Sequence, residues 1–355
     1  MFYLLSMITG ILECGWIACG IVHGLPMWQI LCYPLSYHIG NLLPKPFSLP
    51  KNVLFLFCSV SLTLTVLLSI VPMPDIVSFI LTCLCLCLLS AVIQSVRDSM
   101  KSNGNRLFKR ISRVIGFALA PLAVFIPGII LFSAVAIAFY GLTKYDARQF
   151  SFFFPGFQGG YSLVMLFHQF HYFFYAHITL AAASIAFGKQ LPVIKAFEYV
   201  FTRNPVVFGS IAGALLFCGT WVTYMSVEPI VSRLTKKIIS IFFIGHSAVF
   251  VLLISMSFTA NTTLFIVLWL LTGFGGGTVY TITEKSKQSG KYDKDSMTVS
   301  ENLGHTFGLF VAVAISALFG TYSPSIMLVC GAFSAFAAML CMTIVAGKEK
   351  KFETF

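Results

Sequence analysis

Residues 53–96 read VLFLFCSVSLTLTVLLSIVPMPDIVSFILTCLCLCLLSAVIQSV and are followed by RDSMKSNGNRLFKRISR at 97–113. The apolar segment carries a single charge, Asp75, which lies in the VPMPD turn that divides it. Each half is about 20 residues long, the length that an α-helix needs to cross the hydrocarbon core of a bilayer. The segment therefore predicts two membrane-spanning helices joined by a tight turn and followed by a basic loop.

The composition of the whole chain agrees with a membrane protein. Of its 355 residues, 58% are apolar and 10% are charged, whereas a soluble domain carries about a quarter charged residues. This mismatch excludes a disordered chain, a secreted disulfide scaffold and a cytosolic enzyme. The 10 cysteines form no C-x-x-C pair and no zinc-binding spacing, and we interpret them as small hydrophobic residues.

Apolar runs of spanning length recur along the rest of the chain. The sequence is accordingly predicted to be an all-α integral membrane protein with two pseudo-symmetric six-helix bundles, at 1–143 and 158–347, joined by a cytoplasmic linker at 144–157 and followed by a tail at 348–355. The twelve predicted spans are 3–23, 27–43, 53–72, 76–96, 111–127, 128–143, 158–186, 206–226, 238–258, 263–283, 300–321 and 325–346.

The positive charges lie mainly on one side of these spans. Twenty of the 23 Lys and Arg residues fall in loops after even-numbered spans or in the C-terminal tail, and the other three share one loop at 187–205. Because Lys and Arg accumulate in cytoplasmic loops, both termini are predicted to be cytoplasmic. The net charge of +11 thus reflects orientation in the membrane, not a nucleic-acid partner. The basic loop at 97–113 is predicted to face anionic lipid.

Candidate functional residues are the ionisable side chains inside the spans, because such groups are costly in lipid. Glu13 lies mid-way along the first span, with Trp16 three residues later on the same helix face. A buried carboxylate suits a proton carrier, and the alternative is a hydrogen bond that serves packing alone. His38 is a lone imidazole in the second span, for which packing is the leading interpretation and the proton pathway the other.

The seventh span contains LFHQFHYFFYAH at 166–177. His168 and His171 are neighbours on one helix face, and Tyr172 and Tyr175 extend that side by one turn. These groups could relay protons or contact an acidic substrate. The alternative is that they form interhelical hydrogen bonds or an aromatic belt at the interface. A metal site is disfavoured because no carboxylate or thiol lies at ligand spacing on that face.

The eighth span places Trp221, Tyr224 and Glu228 at i, i+3 and i+7 on one face. Such a stripe suits an amphipathic substrate, although Glu228 could instead pair with Arg233 at the membrane surface. In the eleventh span, Thr298-x-x-Glu301 fits a capping box, so Glu301 is predicted to be structural. No G-x-x-x-x-G-K-[ST] motif occurs, which argues against ATP hydrolysis and favours an ion gradient as the energy source.

Several motifs resemble those of the major facilitator superfamily. Gly40 and Leu42 fit the start of that family's second-to-third loop signature, but Pro44 and Lys45 stand where its acidic and basic pair would be. The Gly-rich tenth span (GFGGG, 273–277) and the eleventh (ENLGHTFG) are also similar. The resemblance implies a central cavity between two bundles and alternating access by rocking. The seventh and eighth spans (FHQFHYFFYAH, GTWVTYMSVEP) resemble bacterial efflux members, which implies export.

Together these features predict a proton-coupled secondary transporter, not an enzyme, that exports a small organic solute. A siderophore-like metabolite, another polar metabolite or a drug would be its cargo. The expected partners are the solute, protons and membrane lipid. We expect a monomer in a bacterial inner membrane, without cofactor, metal or nucleic acid. The alternatives are a proton-symport importer, a non-transporting receptor or assembly factor, and a membrane enzyme, which would need a cluster of catalytic groups at one interface.

Overall fold

The computed structural model describes residues 1–100, 106–145, 218–219, 222–227, 229–231, 233, 238–259, 261–288, 294–320 and 323–348. Within these residues every regular element is a helix. The described residues up to 145 belong to one compact unit and those from 218 onward belong to a second. We call them the N-terminal and C-terminal units.

The helices of the N-terminal unit begin where proline or a short loop interrupts the apolar runs. Prolines 26, 50 and 74 directly precede helices, and Pro127 begins one, since a helix's first turn does not need the N–H that proline lacks. The elements are α1 (Phe2–Val22), α2 (Met27–Leu42), α3 (Pro44–Phe47), α4 (Lys51–Ile70), α5 (Asp75–Ser99), α6 (Arg106–Leu119), a 3₁₀ helix (Ala120–Val124) and α7 (Pro127–Lys144).

Two pairs of helices in the N-terminal unit approach at backbone distance. In the first pair, α1 packs on α6, where a Cβ on Gly10 would lie 2.6 Å from the carbonyl oxygen of Arg113. In the second, α2 packs on α5, and the Ser90 hydroxyl donates a 2.7 Å hydrogen bond to the Tyr37 carbonyl. Small residues at such contacts let membrane helices approach closely.

Helix α4 carries several hydroxyl groups in an otherwise apolar sequence. Five of them donate to the carbonyl oxygen four residues earlier, at distances of 2.8–3.1 Å. These bonds satisfy the hydroxyl donors within the helix itself, as a lipid environment requires. The five residues are Ser59, Ser61, Thr63, Thr65 and Ser69.

The C-terminal unit contains α8 (Ile238–Phe258), α9 (Thr262–Gln288), α10 (Lys294–Phe319) and α11 (Ser323–Lys348), preceded by a helical segment at 222–227. Helix α8 packs on α9 and α11, and α10 packs on α11. The GFGGG segment of α9 provides one of these contacts, because a Cβ on Gly275 would lie 3.1 Å from the carbonyl oxygen of Gly245 in α8.

Six of the described helices are long and apolar enough to cross a membrane. They coincide with the predicted first, third, fourth, sixth, ninth and eleventh spans. The second, tenth and twelfth spans are helices as well. The six ranges are Phe2–Gly20, Lys51–Ile70, Asp75–Ser99, Pro127–Lys144, Ser240–Phe258 and Thr298–Phe319.

Two local predictions differ from the structure. The fifth span, predicted as 111–127, is divided into α6 and the 3₁₀ helix, because Pro121 has no N–H to continue the α-helical hydrogen bonds. The capping box at Thr298 is wrong: α10 begins at Lys294, so Thr298 lies inside the helix. The seventh span and most of the eighth lie outside the described residues. The count of twelve spans and the domain bounds therefore stay predictions.

Candidate functional site

Glu13 is a buried carboxylate in the middle of α1. Helix α1 is otherwise free of Asp, Glu, Lys and Arg, and the Glu13 side chain is 3% exposed. A charged group within a membrane span is costly unless other groups compensate it. The chemistry of Glu13 therefore depends on what surrounds it.

The first partner of Glu13 is Arg113, from α6. Arg113 donates a hydrogen bond from Nη2 to Glu13 Oε2 at 2.5 Å, and its guanidinium lies 5.6 Å from the ring centroid of Phe117. Gly116 and Phe117 occupy the next turn of α6. A Cβ on Gly116 would collide with the carbonyl oxygen of Met7 in α1. The close approach of α1 and α6 thus brings the two charges into contact.

The second partner is His38, from α2. Its Nε2 lies 3.6 Å from Glu13 Oε1, and the side chain is 3% exposed. This separation is longer than a hydrogen bond, so the contact is electrostatic and depends on whether the imidazole is protonated. The ring packs edge-on against Tyr37, with centroids 5.3 Å apart. We call Glu13, His38 and Arg113 the Glu13 triad; it joins α1, α2 and α6.

A second polar network lies on the last turns of α5, the helix on which α2 packs. The Gln94 amide donates a 2.7 Å hydrogen bond to Asp98 Oδ2, and Arg97 donates to Gln94 Oε1. These residues are four and three positions apart, so they stabilise one another along a single helix face. The network fixes Arg97 at the end of α5 that the sequence predicts to be cytoplasmic.

The interpretation of the basic segment at 97–113 as a lipid-facing loop is wrong for its C-terminal part. Arg110 is 7% exposed, and Arg113 contacts Glu13. Lys45, another residue assigned to a cytoplasmic loop, is 1% exposed. The physical reason is that α6 begins at Arg106, earlier than the predicted span, so Arg110 and Arg113 lie on a helix that packs against α1.

The other predicted site residues fall into three groups. Trp16 is buried and lines a cavity described below. Tyr224 is buried in the C-terminal unit, where its carbonyl oxygen would collide with a Cβ on Gly277. The predictions that lie outside the described residues are His168, His171, Tyr172, Tyr175, Trp221 and Glu228.

The sequence did contain a signal for Arg113. It falls just inside the predicted fifth span, where the rule that selected Glu13 applies equally. Arg113 is absent from the candidate residues because the charge distribution assigns it to the cytoplasmic loop at 97–113. Across the part of the chain that the structure describes, no three His, Cys, Asp or Glu residues are grouped so that they could hold a metal ion.

Comparison with known proteins identifies the fold. No protein-family model matches the sequence, and no curated protein sequence does. Among solved structures, an auto-inhibited POT family peptide transporter is 14% identical, with a TM-score of 0.61 and coverage of 98% of this chain and 96% of that one. The nucleoside transporter NupG is 12% identical, with a TM-score of 0.56 and coverage of 96% and 98%.

A third structure is a bacterial homologue of the iron transporter ferroportin in an inward-facing state. It is 12% identical, with a TM-score of 0.57 and coverage of 99% of this chain and 98% of that one. At these identities the similarity is one of fold. The chain therefore shares the helical fold of these solved transporters over nearly its whole length.

Proposed function

We propose that the chain is a proton-coupled secondary transporter of the major facilitator type. Two observations support a transporter. The fold matches three solved transporters over almost their full lengths, and six of the described helices are apolar and long enough to cross a membrane. The observation that carries proton coupling is the Glu13 triad, a carboxylate buried between an arginine and a histidine.

The chemistry of the triad follows from its three side chains. Arg113 stays charged at any physiological pH, and its 2.5 Å contact with Glu13 pairs the two charges. His38 is the member whose side chain titrates near neutral pH in water. When a proton binds His38, the imidazolium is attracted to the Glu13 carboxylate and competes with Arg113 for it. Proton binding on α2 thus changes how firmly α1 is held to α6.

We propose export of a small organic solute, such as a siderophore-like or other polar metabolite or a drug, by a monomer in a bacterial inner membrane. Sequence features support the direction of transport and the orientation of the chain. The seventh and eighth spans resemble efflux members, and the distribution of Lys and Arg favours cytoplasmic termini. Release from loaded inverted vesicles and uptake by whole cells separate export from import.

Proton binding at the triad is measurable before any solute is identified. Proteoliposomes on a solid-supported membrane are given a step in external pH, and the charge displacement is recorded. We expect a transient current from the wild type. We expect none from Glu13→Gln, because the protonated imidazole loses its counter-charge, or from His38→Gln, because the proton acceptor is gone.

Matched substitutions in the C-terminal unit control this experiment. Glu301→Gln and His246→Gln make the same chemical changes at described positions outside the triad, and both should keep the transient. Equal reconstitution of all variants is checked by protein-to-lipid ratio. A wild-type transient in Glu13→Gln, or its loss in Glu301→Gln, would contradict the assignment of proton binding to the triad.

A further inference from the structure

A cavity of about 740 Å³ opens at the end of the N-terminal unit where α1 ends and α2 begins. Its lining comes from α1, α2, α4, α5, the 3₁₀ helix and α7. This end is the one that the sequence predicts to face away from the cytoplasm. The volume falls within the range of sites that bind small molecules.

The floor and the rim of the cavity are both aromatic. Trp16 and Tyr33 form part of the floor and are only 4% and 7% exposed. Phe125 and Phe132 lie at the rim and are more than half exposed. Indole, phenol and phenyl faces at two depths provide stacking surfaces for a flat ring that enters the cavity.

Most of the polar side chains that line the cavity carry hydroxyl groups. Ser69, Ser78, Thr82 and Ser133 line it, whereas none of its lining residues is Asp, Glu, Lys or Arg. The hydroxyls of Ser69 and Thr82 donate to backbone carbonyls within their own helices, which leaves their oxygen lone pairs to accept from a ligand. His23 adds an imidazole at the mouth of the cavity.

This lining distinguishes between classes of ligand. An ion entering the cavity would lose hydration without gaining a fixed counter-charge, which is unfavourable. A lipid acyl chain would use the rings but would make no hydrogen bond to the acceptor lone pairs of the hydroxyls. An uncharged molecule that carries both a ring and hydroxyl groups uses both parts of the lining.

We propose that this cavity is a binding site for an uncharged, ring-bearing, hydroxylated small molecule. It is a different site from the Glu13 triad. Trp16 lies one helical turn beyond Glu13, about 4.5 Å along the axis of α1. The proposal concerns binding alone, and it holds or fails independently of proton coupling.

The test uses two probes that share a p-nitrophenyl ring and differ in charge and in their hydroxyl groups. Isothermal titration calorimetry is performed on the full chain in lipid nanodiscs, with empty nanodiscs subtracted. We expect saturable binding of p-nitrophenyl glucoside, which is uncharged and hydroxylated, and no binding of p-nitrophenyl phosphate, which is anionic.

Two serine-to-phenylalanine variants locate the binding. Ser78→Phe places a ring inside the cavity and should abolish glucoside binding. Ser59→Phe makes the same change on α4 outside the cavity lining and should leave it intact. Thr82→Val removes one hydroxyl at nearly constant volume and should weaken glucoside binding about tenfold, or 1.4 kcal/mol. If Ser78→Phe does not fold, Thr82→Val alone tests whether the glucoside binds in this cavity.

Three results of the titrations with the two probes would overturn the proposal. They are the absence of glucoside binding, equal binding of the phosphate, and binding that neither Ser78→Phe nor Thr82→Val alters. Displacement of the glucoside by added lysophospholipid at equal concentration would assign the cavity to lipid and would overturn it as well.

Discussion

Arg113→Leu is expected to lower the free energy of unfolding by about 3–5 kcal/mol, because it leaves the Glu13 carboxylate buried without its cation. The carboxylate is 3% exposed and cannot reach water from the middle of α1. The remaining neighbour, His38, lies at 3.6 Å and offers a full counter-charge only when protonated. Unfolding by added SDS in mixed micelles, followed by circular dichroism, measures this loss.

A double variant separates the effect of the Glu13–Arg113 charge pair from the effect of losing the packing of the Arg113 side chain. Glu13→Gln with Arg113→Leu should be more stable than Arg113→Leu alone, since the uncompensated charge is gone; the double-mutant cycle gives the coupling energy. Arg233→Leu is the matched control, because Arg233 is exposed and its loss should change stability by no more than about 0.5 kcal/mol. Equal stability of Arg113→Leu and Arg233→Leu would show that the buried pair contributes nothing.

Gly116→Ala should be strongly disruptive, although it adds only a single methyl group to the bundle. The new Cβ would collide with the carbonyl oxygen of Met7 and lie 3.1 Å from Cα of Gly10. These are backbone atoms of α1, which cannot rotate away as a side chain does. We expect a loss at the upper end of the about 1–3 kcal/mol typical of overpacking, measured by the same SDS titration.

This substitution also predicts a functional effect. Arg113 precedes Gly116 by one turn, so pushing α6 away from α1 lengthens the contact between Arg113 and Glu13. The pH-step transient should therefore change in Gly116→Ala. The control is Gly219→Ala, whose Cβ would meet only the end of the Leu270 side chain, at 2.9 Å. Similar losses of stability in both variants would contradict the backbone explanation.

Helix positions in the described regions could be predicted from the sequence because lipid imposes a simple rule. Helix α8 runs from Ile238 to Phe258, the same bounds that the apolar run predicted. In hydrocarbon, each backbone polar group must form its hydrogen bond within the helix. An uninterrupted apolar run of this length can therefore adopt few structures other than an α-helix. The prediction failed where polar residues continue a helix, as at Lys294 in α10 and Arg106 in α6.

The sequence pointed to two of the three residues of the Glu13 triad and missed the third. Glu13 and His38 were candidates because an ionisable group inside a span is unusual. Their meeting with Arg113 depends on which helices pack together, and no helical periodicity connects residues 100 positions apart. A single sequence shows the cost of placing each charge in lipid but not the residue that compensates it. The cavity at the end of α1 was not predicted for the same reason.

The order in which the triad's members are synthesised has a consequence for how the protein enters the membrane. Arg113 follows Glu13 by 100 residues, so at about 5–20 residues per second the ribosome needs about 5–20 s to supply it. During that interval α1 carries an acidic group without its permanent cation, and His38 is made much sooner. We infer that release of α1 into bulk lipid before α6 is made is unfavourable. The first helix is therefore expected to remain beside the insertion machinery until the fifth span emerges.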